Sequence, residues 1–189
     1  MITETIVSTI SEHGQVNFAP MGVVLEEDRI IIRPYKEGTT YRNLLATRQG
    51  VVHITDNVLI FAESAVSSPQ FESFPAECIR GFVLKDTCYY YEFVVSEVDC
   101  SGERARFTTQ IVKRGRIRDF IGFNRAKNAI IEAAILATRI RFIGVEKILE
   151  KFEEFAIIVK KTGGLQEEQA MQYLMNYVKQ AANTEAVST

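Results

Sequence analysis

CYYYEFVVSEVDCSGERARFTTQIVKR, residues Cys88–Arg114, reads as two extended arms joined by a polar turn. β-Branched and aromatic residues fill the first arm from Cys88 to Val98. DCSGER then offers turn residues, and ARFTTQIVKR returns as the second arm. A hairpin this long predicts an antiparallel sheet. Tyr89, Tyr90 and Tyr91 must alternate between the strand's two faces. Either both faces are buried in the core, or one carries its rings to a partner surface.

On the N-terminal side of that hairpin, GQVNFAPMGVVL (Gly14–Leu25), the turn EEDR and IIIR (Ile30–Arg33) form a second hairpin pattern. Pro20 lacks an N–H, so this strand is expected to be interrupted at Ala19-Pro20 and to leave main-chain groups free for a flat ligand, or to be a bulged edge strand. VVHIT, Val51–Thr55, is a further short run ending at Asp56-Asn57. Several short strands with hairpin links predict a small barrel or sandwich rather than alternating βαβ units. Two helical pieces interrupt them, at Thr40–Thr47 behind threonine hydroxyl caps and at Asn57–Ala65.

On the C-terminal side the period changes. Ala126, Ala129, Ile130, Ala133, Ala134 and Ala137 fall on one helical stripe, with Asn124 as N-cap. VEKILEKFEEFAIIVKKTGG gives a second helix closed by Lys160, Lys161 and Gly163-Gly164. LQEEQAMQYLMNYVKQ gives a third, with Leu165, Ala170, Tyr173, Leu174 and Tyr177 expected on its inner face. The organisation predicted is a β-barrel over residues 1–122, a helical subdomain over 123–182, and a frayed tail over 183–189.

The totals narrow the function classes. The chain has 189 residues, 47% hydrophobic and 24% charged, the composition of a soluble globular protein. A net charge of −2 supplies no basic field, so no nucleic-acid partner is expected. The opening MITETIVSTISEHG has no basic region leading into a long apolar one, and no apolar run is long enough to span a bilayer. Cys78, Cys88 and Cys100 lack C-x-x-C spacing and read as reduced thiols of a cytoplasmic protein. With only His13 and His53, no histidine-rich metal site is expected. Walker and G-x-G-x-x-G motifs are absent, so any phosphate must be held by other means.

RPYKEGTTYRNLLATRQG, Arg33–Gly50, offers such means. Thr39 and Thr40 precede a helix whose first N–H groups lack intrahelical partners and whose N-terminal end is positive. Arg33 and Lys36 add cations, Gly38 permits close backbone approach, and Asn43 can reach the same ligand or brace the loop. A capped helix after an exposed charged turn is the plainer alternative.

Together, N-x-A-P in the first strand, R-P…T-T-x-x-N-L after it, and an apolar strand ending near Asp-Asn resemble the FMN-binding split barrel of flavin reductases and pyridoxamine-phosphate-oxidase-like proteins. The chain is most similar to a prokaryotic branch of that superfamily described as a domain of unknown function. There the barrel is followed by F-N-R-A-x-x-A-x-I-E-A-A-I-L-A-T-R, here Phe123–Arg139, and by a helix ending K-T-G-G, here Lys161–Gly164. The resemblance implies an α+β fold, mainly β: a split β-barrel with a C-terminal helical subdomain.

It also implies FMN as cofactor. Arg33, Lys36, Thr39, Thr40 and Asn43 would hold the phosphate, and Asn17, Ala19, Pro20 and Met21 the ring, with Tyr41 or Tyr35 stacking or donating an O–H. The run of Lys113, Arg114, Arg116 and Arg118 reads as a solvated face, with closure of the phosphate pocket by Lys113 or Arg114 as the alternative. His53 stands where flavin reductases of this fold often carry Asn; it either touches the ligand or is a hydrogen-bonded core histidine. Arg125, at a helix start where a cation is disfavoured, awaits a ligand or a carboxylate. A homodimer with flavin near the subunit interface is implied, with NAD(P)H or another small molecule as electron donor. The function expected is a flavin-reductase-type oxidoreductase. The alternatives are a non-catalytic flavin carrier, sensor or partner subunit, or a split barrel holding a pterin or haem.

Overall fold

The structure is a computed structural model that describes residues 1–187, the side chains of 183–187 excepted. The tail expected over 183–189 lies outside the fully described residues. Two compact units divide the chain: Met1–Thr55 with Gln70–Phe120, and Asp56–Pro69 with the chain from Ile121 onward.

The first unit is built on β1 (Thr3–Ile10), β2 (Val16–Leu25), β3 (Arg29–Ile32), α1 (Thr39–Thr47), β4 (Gln49–Ile54), β5 (Ser73–Pro75), β6 (Phe82–Leu84), β7 (Tyr89–Asp99) and β8 (Arg106–Arg116). Six of the strands close an antiparallel barrel in the order β1-β2-β3-β8-β7-β4, while β5 and β6 form a separate small hairpin. The barrel expectation holds, and its closing strand is β1, which the sequence reading did not identify. From Thr5 to Ile10 every residue of β1 is buried, so the polar/apolar alternation of a half-buried strand is missing. Its hydroxyls are satisfied internally: Thr5 donates to the Met21 carbonyl (2.7 Å) and Ser8 to that of Phe82 (2.6 Å).

The expected break at Pro20 does not occur. β1 and β2 stay in register from Thr3↔Val23 to Ile10↔Val16, with Pro20 opposite Ile6. Alternate residues of an antiparallel strand do not bond to a given neighbour, so one missing N–H is tolerated. On the other side β3 pairs only with Val23, Val24 and Leu25. The segment from Val16 to Gly22 therefore has a strand neighbour on one side alone.

Both faces of β7 are buried inside the unit. Tyr91, Phe93 and Val95 pack with Val52, Ile30, Ile32 and Phe107 in the barrel core. Tyr90 and Val94 point the other way, against Val51, Ile79 and Val83. Glu92 shares that second face, fully buried, and its carboxylate accepts the N–H groups of Glu77 (3.0 Å) and Cys78 (2.7 Å). Two charge-assisted bonds offset the cost of burying it. The aromatic run thus serves two cores of one chain, with Tyr89 and Tyr91 partly exposed.

The second unit holds α2 (Val58–Val66), α3 (Arg125–Ala137), α4 (Ile140–Ile143), α5 (Val145–Thr162) and α6 (Leu165–Val187). The expected boundary put residues 57–65 with the barrel. Instead, Val58 and Ala62 share a core with Ala126, Ile130, Ala133, Phe152 and Leu174. All six residues of the α3 stripe are buried as predicted. On α6 the buried stripe is Glu167, Ala170, Met171, Leu174 and Val178, so Leu165 and Tyr177 were wrongly placed inside: Leu165 is 71% exposed and Tyr177 36%. A spacing near 3.6 carries the stripe past both.

The most distinctive motifs of the sequence meet here. Asn124 accepts from Lys127 N–H (3.1 Å) and donates to the Thr162 carbonyl (2.9 Å), joining the start of α3 to the end of α5. A Cβ on Gly163 would lie 2.8 Å from the Val159 carbonyl and 3.2 Å from Ala126 Cβ, so N-R-A and K-T-G-G fit only through a bare backbone. Gly164 N–H donates to Glu167 (2.8 Å), closing the start of α6. Arg125 is exposed; it is Lys127 that reaches Asp56 and Glu167 (3.7 and 3.9 Å to the carboxylates). Among the described residues no helix is long and apolar enough to cross a membrane, and no group of three potential metal ligands occurs.

Candidate functional site

Within the barrel unit the loop after β3 runs into α1, and two side-chain bonds pin that helix to the sheet. Asn43 donates to Thr9 on β1 (3.0 Å), and Asn17 on β2 donates to Thr40 (3.4 Å). Thr9 and Asn17 are themselves cross-strand partners. Four polar side chains from three elements thus fix the N-terminal turn of α1 beside the part of β2 that lacks a second strand. Asn17 and Thr40, 23 residues apart, were both singled out from sequence and are brought together. Asn43 and Thr40 are buried, which makes them braces of the helix.

Threonine does not cap α1, contrary to expectation. Gly38 is the N-cap, in extended conformation with no side-chain cap bond, and Thr39 is already the first helical residue. Arg42 N–H bonds back to the Gly38 carbonyl (3.3 Å), but the amides of the first turn receive no capping oxygen from Gly38. A Cβ at Gly38 would sit 3.2 Å from the Tyr35 carbonyl, which would have to give by a few tenths of an ångström to admit one.

Arg42 is the residue the sequence reading left out. Its guanidinium folds back across the helix start, donating to the Glu37 carbonyl (2.5 Å) and to Thr39 Oγ1 (3.0 Å). Its spacing of three residues from Thr39 in a helix was the available signal. Arg33 is exposed on the approach to α1, and Lys36 donates to the Cys100 carbonyl (2.7 Å). Tyr41 packs edge-on to Phe107 and its hydroxyl lies 3.7 Å from Cys100 Sγ; that hydrogen bond first, and burial second, raise the Tyr41 pKa. Asn17, Ala19, Pro20 and Met21 line up along β2, each partly exposed.

The other residues singled out lie apart from this turn. His53 is fully buried, with Nδ1 bonded to the Ile6 carbonyl (3.0 Å) and Nε2 accepting Leu84 N–H (3.1 Å). This pattern fixes the Nδ1–H tautomer and leaves no ring nitrogen for a ligand. Burial lowers its pKa from 6.5 to about 4, so it is neutral near pH 7. Lys113 pairs with Glu77, and Arg114 bonds Glu27 and Asp28, so each is engaged by groups of its own chain. A groove of about 320 Å³ on the helical unit, lined by Ala156, Val159, Lys160, Met171 and Met175, contains none of the residues singled out.

The site therefore combines uncapped helical amides and neighbouring cations with a strand segment exposed beside them. Such a set can hold a dianion at one end and a flat ring at the other. Comparison with known proteins agrees with the fold. A family model described as the N-terminal domain of a protein of unknown function, DUF447, matches residues 3–118, and a second model of the same family matches 124–176. An FMN-bound protein from Methanosarcina mazei, of the same family, superimposes with a TM-score of 0.81 at 27% identity, covering 93% of this chain and 94% of its own. An FMN-binding protein from Thermus thermophilus (TM-score 0.52, 17% identity, 60% of this chain and 70% of that one) and the flavoredoxin of Desulfovibrio vulgaris (0.52, 12%, 61% and 69%) share the barrel fold. The resemblance read from the N-x-A-P, T-T-x-x-N-L and F-N-R-A motifs is thus borne out, and the chain belongs to the DUF447 family.

Proposed function

We propose that this protein is an FMN-binding flavoprotein that passes electrons through the bound flavin, in the manner of a flavin reductase. The carrying observation is the start of α1: a glycine N-cap without a capping side chain, overlaid by Arg42 and tied by Thr40 to Asn17 of β2. The FMN-bound relative covering nearly the whole chain supports the identity of the ligand.

The residues present fit FMN. A phosphate dianion finds first-turn amides, the Thr39 hydroxyl and the Arg42 guanidinium together, with Arg33 on the approach. A cation at the positive end of a helix is unfavourable by itself and becomes favourable when an anion joins it. Ala19, Pro20 and Met21 offer a partly exposed strand segment for a planar ring, with Asn17 next to the phosphate end. Bound flavin supplies the redox chemistry; the chain's part is to hold it, shield it from water and place hydrogen bonds at its polar edge. We extend the reading to a homodimer with NAD(P)H as electron donor.

Protein purified without added cofactor should carry flavin absorption bands, and acid extraction should release FMN identified by mass. Anaerobic addition of NADH or NADPH should bleach those bands on a catalytic timescale. Material that is flavin-free and also fails to bind added FMN in an equilibrium titration overturns the reading. Flavin that is bound yet never reduced turns it into a carrier or sensor. Light scattering of the holo-protein tests the dimer, a single-chain mass counting against it.

A further inference from the structure

We infer that the turn between β7 and β8 is a clasp that holds the phosphate loop in shape, with Arg104 as its positioning residue. The inference rests on FMN binding at α1 and adds a residue to that site. Three contacts join the turn to the loop. The Arg104 guanidinium stacks on the Tyr35 ring, 3.8 Å from its centroid, and donates to the Tyr35 hydroxyl. Lys36 Nζ donates to the Cys100 carbonyl at 2.7 Å, and the Tyr41 hydroxyl meets Cys100 Sγ at 3.7 Å. An isolated antiparallel bridge, Tyr35↔Arg104, extends the β3–β8 pairing to this point.

The contact made by Arg104 lies at the surface. Tyr35 is 55% exposed and Arg104 is exposed too, so neither supports the core. What they do is restrain residues 35–41, the segment that ends in the uncapped first turn of α1. A loop free to sample other shapes binds its ligand more weakly by the fraction of time it is misformed. The turn itself is set by Asp99, which accepts Ser101 N–H at 2.8 Å. It is therefore a pre-formed jaw against which the loop closes.

The test separates phosphate positioning from general damage by comparing two ligands. Equilibrium titrations of flavin-stripped protein with FMN and with riboflavin, which lacks the phosphate, give the affinity ratio. Arg104→Ala should lower FMN affinity about threefold to tenfold, the scale of an exposed cation–π contact and its hydrogen bond, and leave riboflavin affinity unchanged. Arg104→Lys, which keeps a cation over the ring, should recover part of the loss. An unchanged ratio in Arg104→Ala, or an equal loss for both ligands, overturns the clasp. Wild-type protein that binds neither flavin instead overturns the FMN reading beneath it.

Discussion

Two helices of this chain begin in opposite ways. At α3, Asn124 accepts one first-turn amide and also donates to the end of α5, so the helix start is closed from within. At α1, Gly38 brings no side chain, and a guanidinium lies across the start instead. The first arrangement belongs to architecture. The second leaves donors and charge over, and a fold retains surplus donors in one place where a ligand takes them up. The motif that looks most specific in the sequence proves structural, while the plainer loop is the one to which we assign the binding chemistry.

Groups closed from within should cost stability when removed, and the largest case is His53. His53→Leu would orphan Leu84 N–H and the Ile6 carbonyl in a dry interior, a loss of about 2–5 kcal/mol readable by urea denaturation near neutral pH. The folded molecules that remain should bind FMN as before. A selective loss of flavin would move His53 to the ligand side of the comparison. The same residue sets a pH dependence. The unfolded chain takes up a proton near pH 6.5 and the folded chain only near 4, so stability is full above 6.5 and falls as pH drops toward 4. The total is up to about 3 kcal/mol, and His53→Gln should flatten that slope. Asn124→Ala, losing a cap and an interhelical bond, comes next at about 2 kcal/mol in the same assay.

What the sequence revealed follows the same division. The α3 stripe was legible because six small or apolar residues repeat at one period with nothing competing. β1 was not, because its buried Thr5, Ser8 and Thr9 imitate a polar segment while their hydroxyls find partners on β2, β6 and α1. Asn17 and Thr40 could be named as site residues, yet their contact across 23 positions depends on the β1–β2 register, which no local pattern encodes. His53 was read two ways because a lone histidine in an apolar strand looks the same whether its nitrogens face ligand or backbone. The capping of α1 was misread because Thr39 and Thr40 are good caps by type, and only the geometry shows Gly38 in that place.

Closing α1 artificially should sharpen the contrast. Gly38 has φ −76°, a conformation any residue adopts, so Gly38→Asn can cap the helix once the Tyr35 carbonyl gives a few tenths of an ångström. The flavin-free protein should gain several tenths of a kcal/mol in stability, as a new cap does. FMN affinity should fall about tenfold, or about 1.4 kcal/mol, since the asparagine oxygen occupies amides a phosphate would use. Stability and affinity moving together would show that the first-turn amides do not face the ligand.

The smallest effect expected is also the most specific, because its sign differs between the two states of the protein. Arg42 places a positive charge at the positive end of α1, where the dipole opposes it by about 0.3–1 kcal/mol. Arg42→Gln should therefore leave flavin-free protein slightly more stable, while weakening FMN binding about threefold through the lost phosphate pairing. The loss should shrink in high salt, where exposed charges are screened, and be absent for riboflavin. At α3 no such reversal is available: removing Asn124 harms the helix whatever is bound. An Arg42→Gln protein less stable without flavin would mean that its bonds to Glu37 and Thr39 exist for the loop, and that α1, like α3, is closed by its own chain.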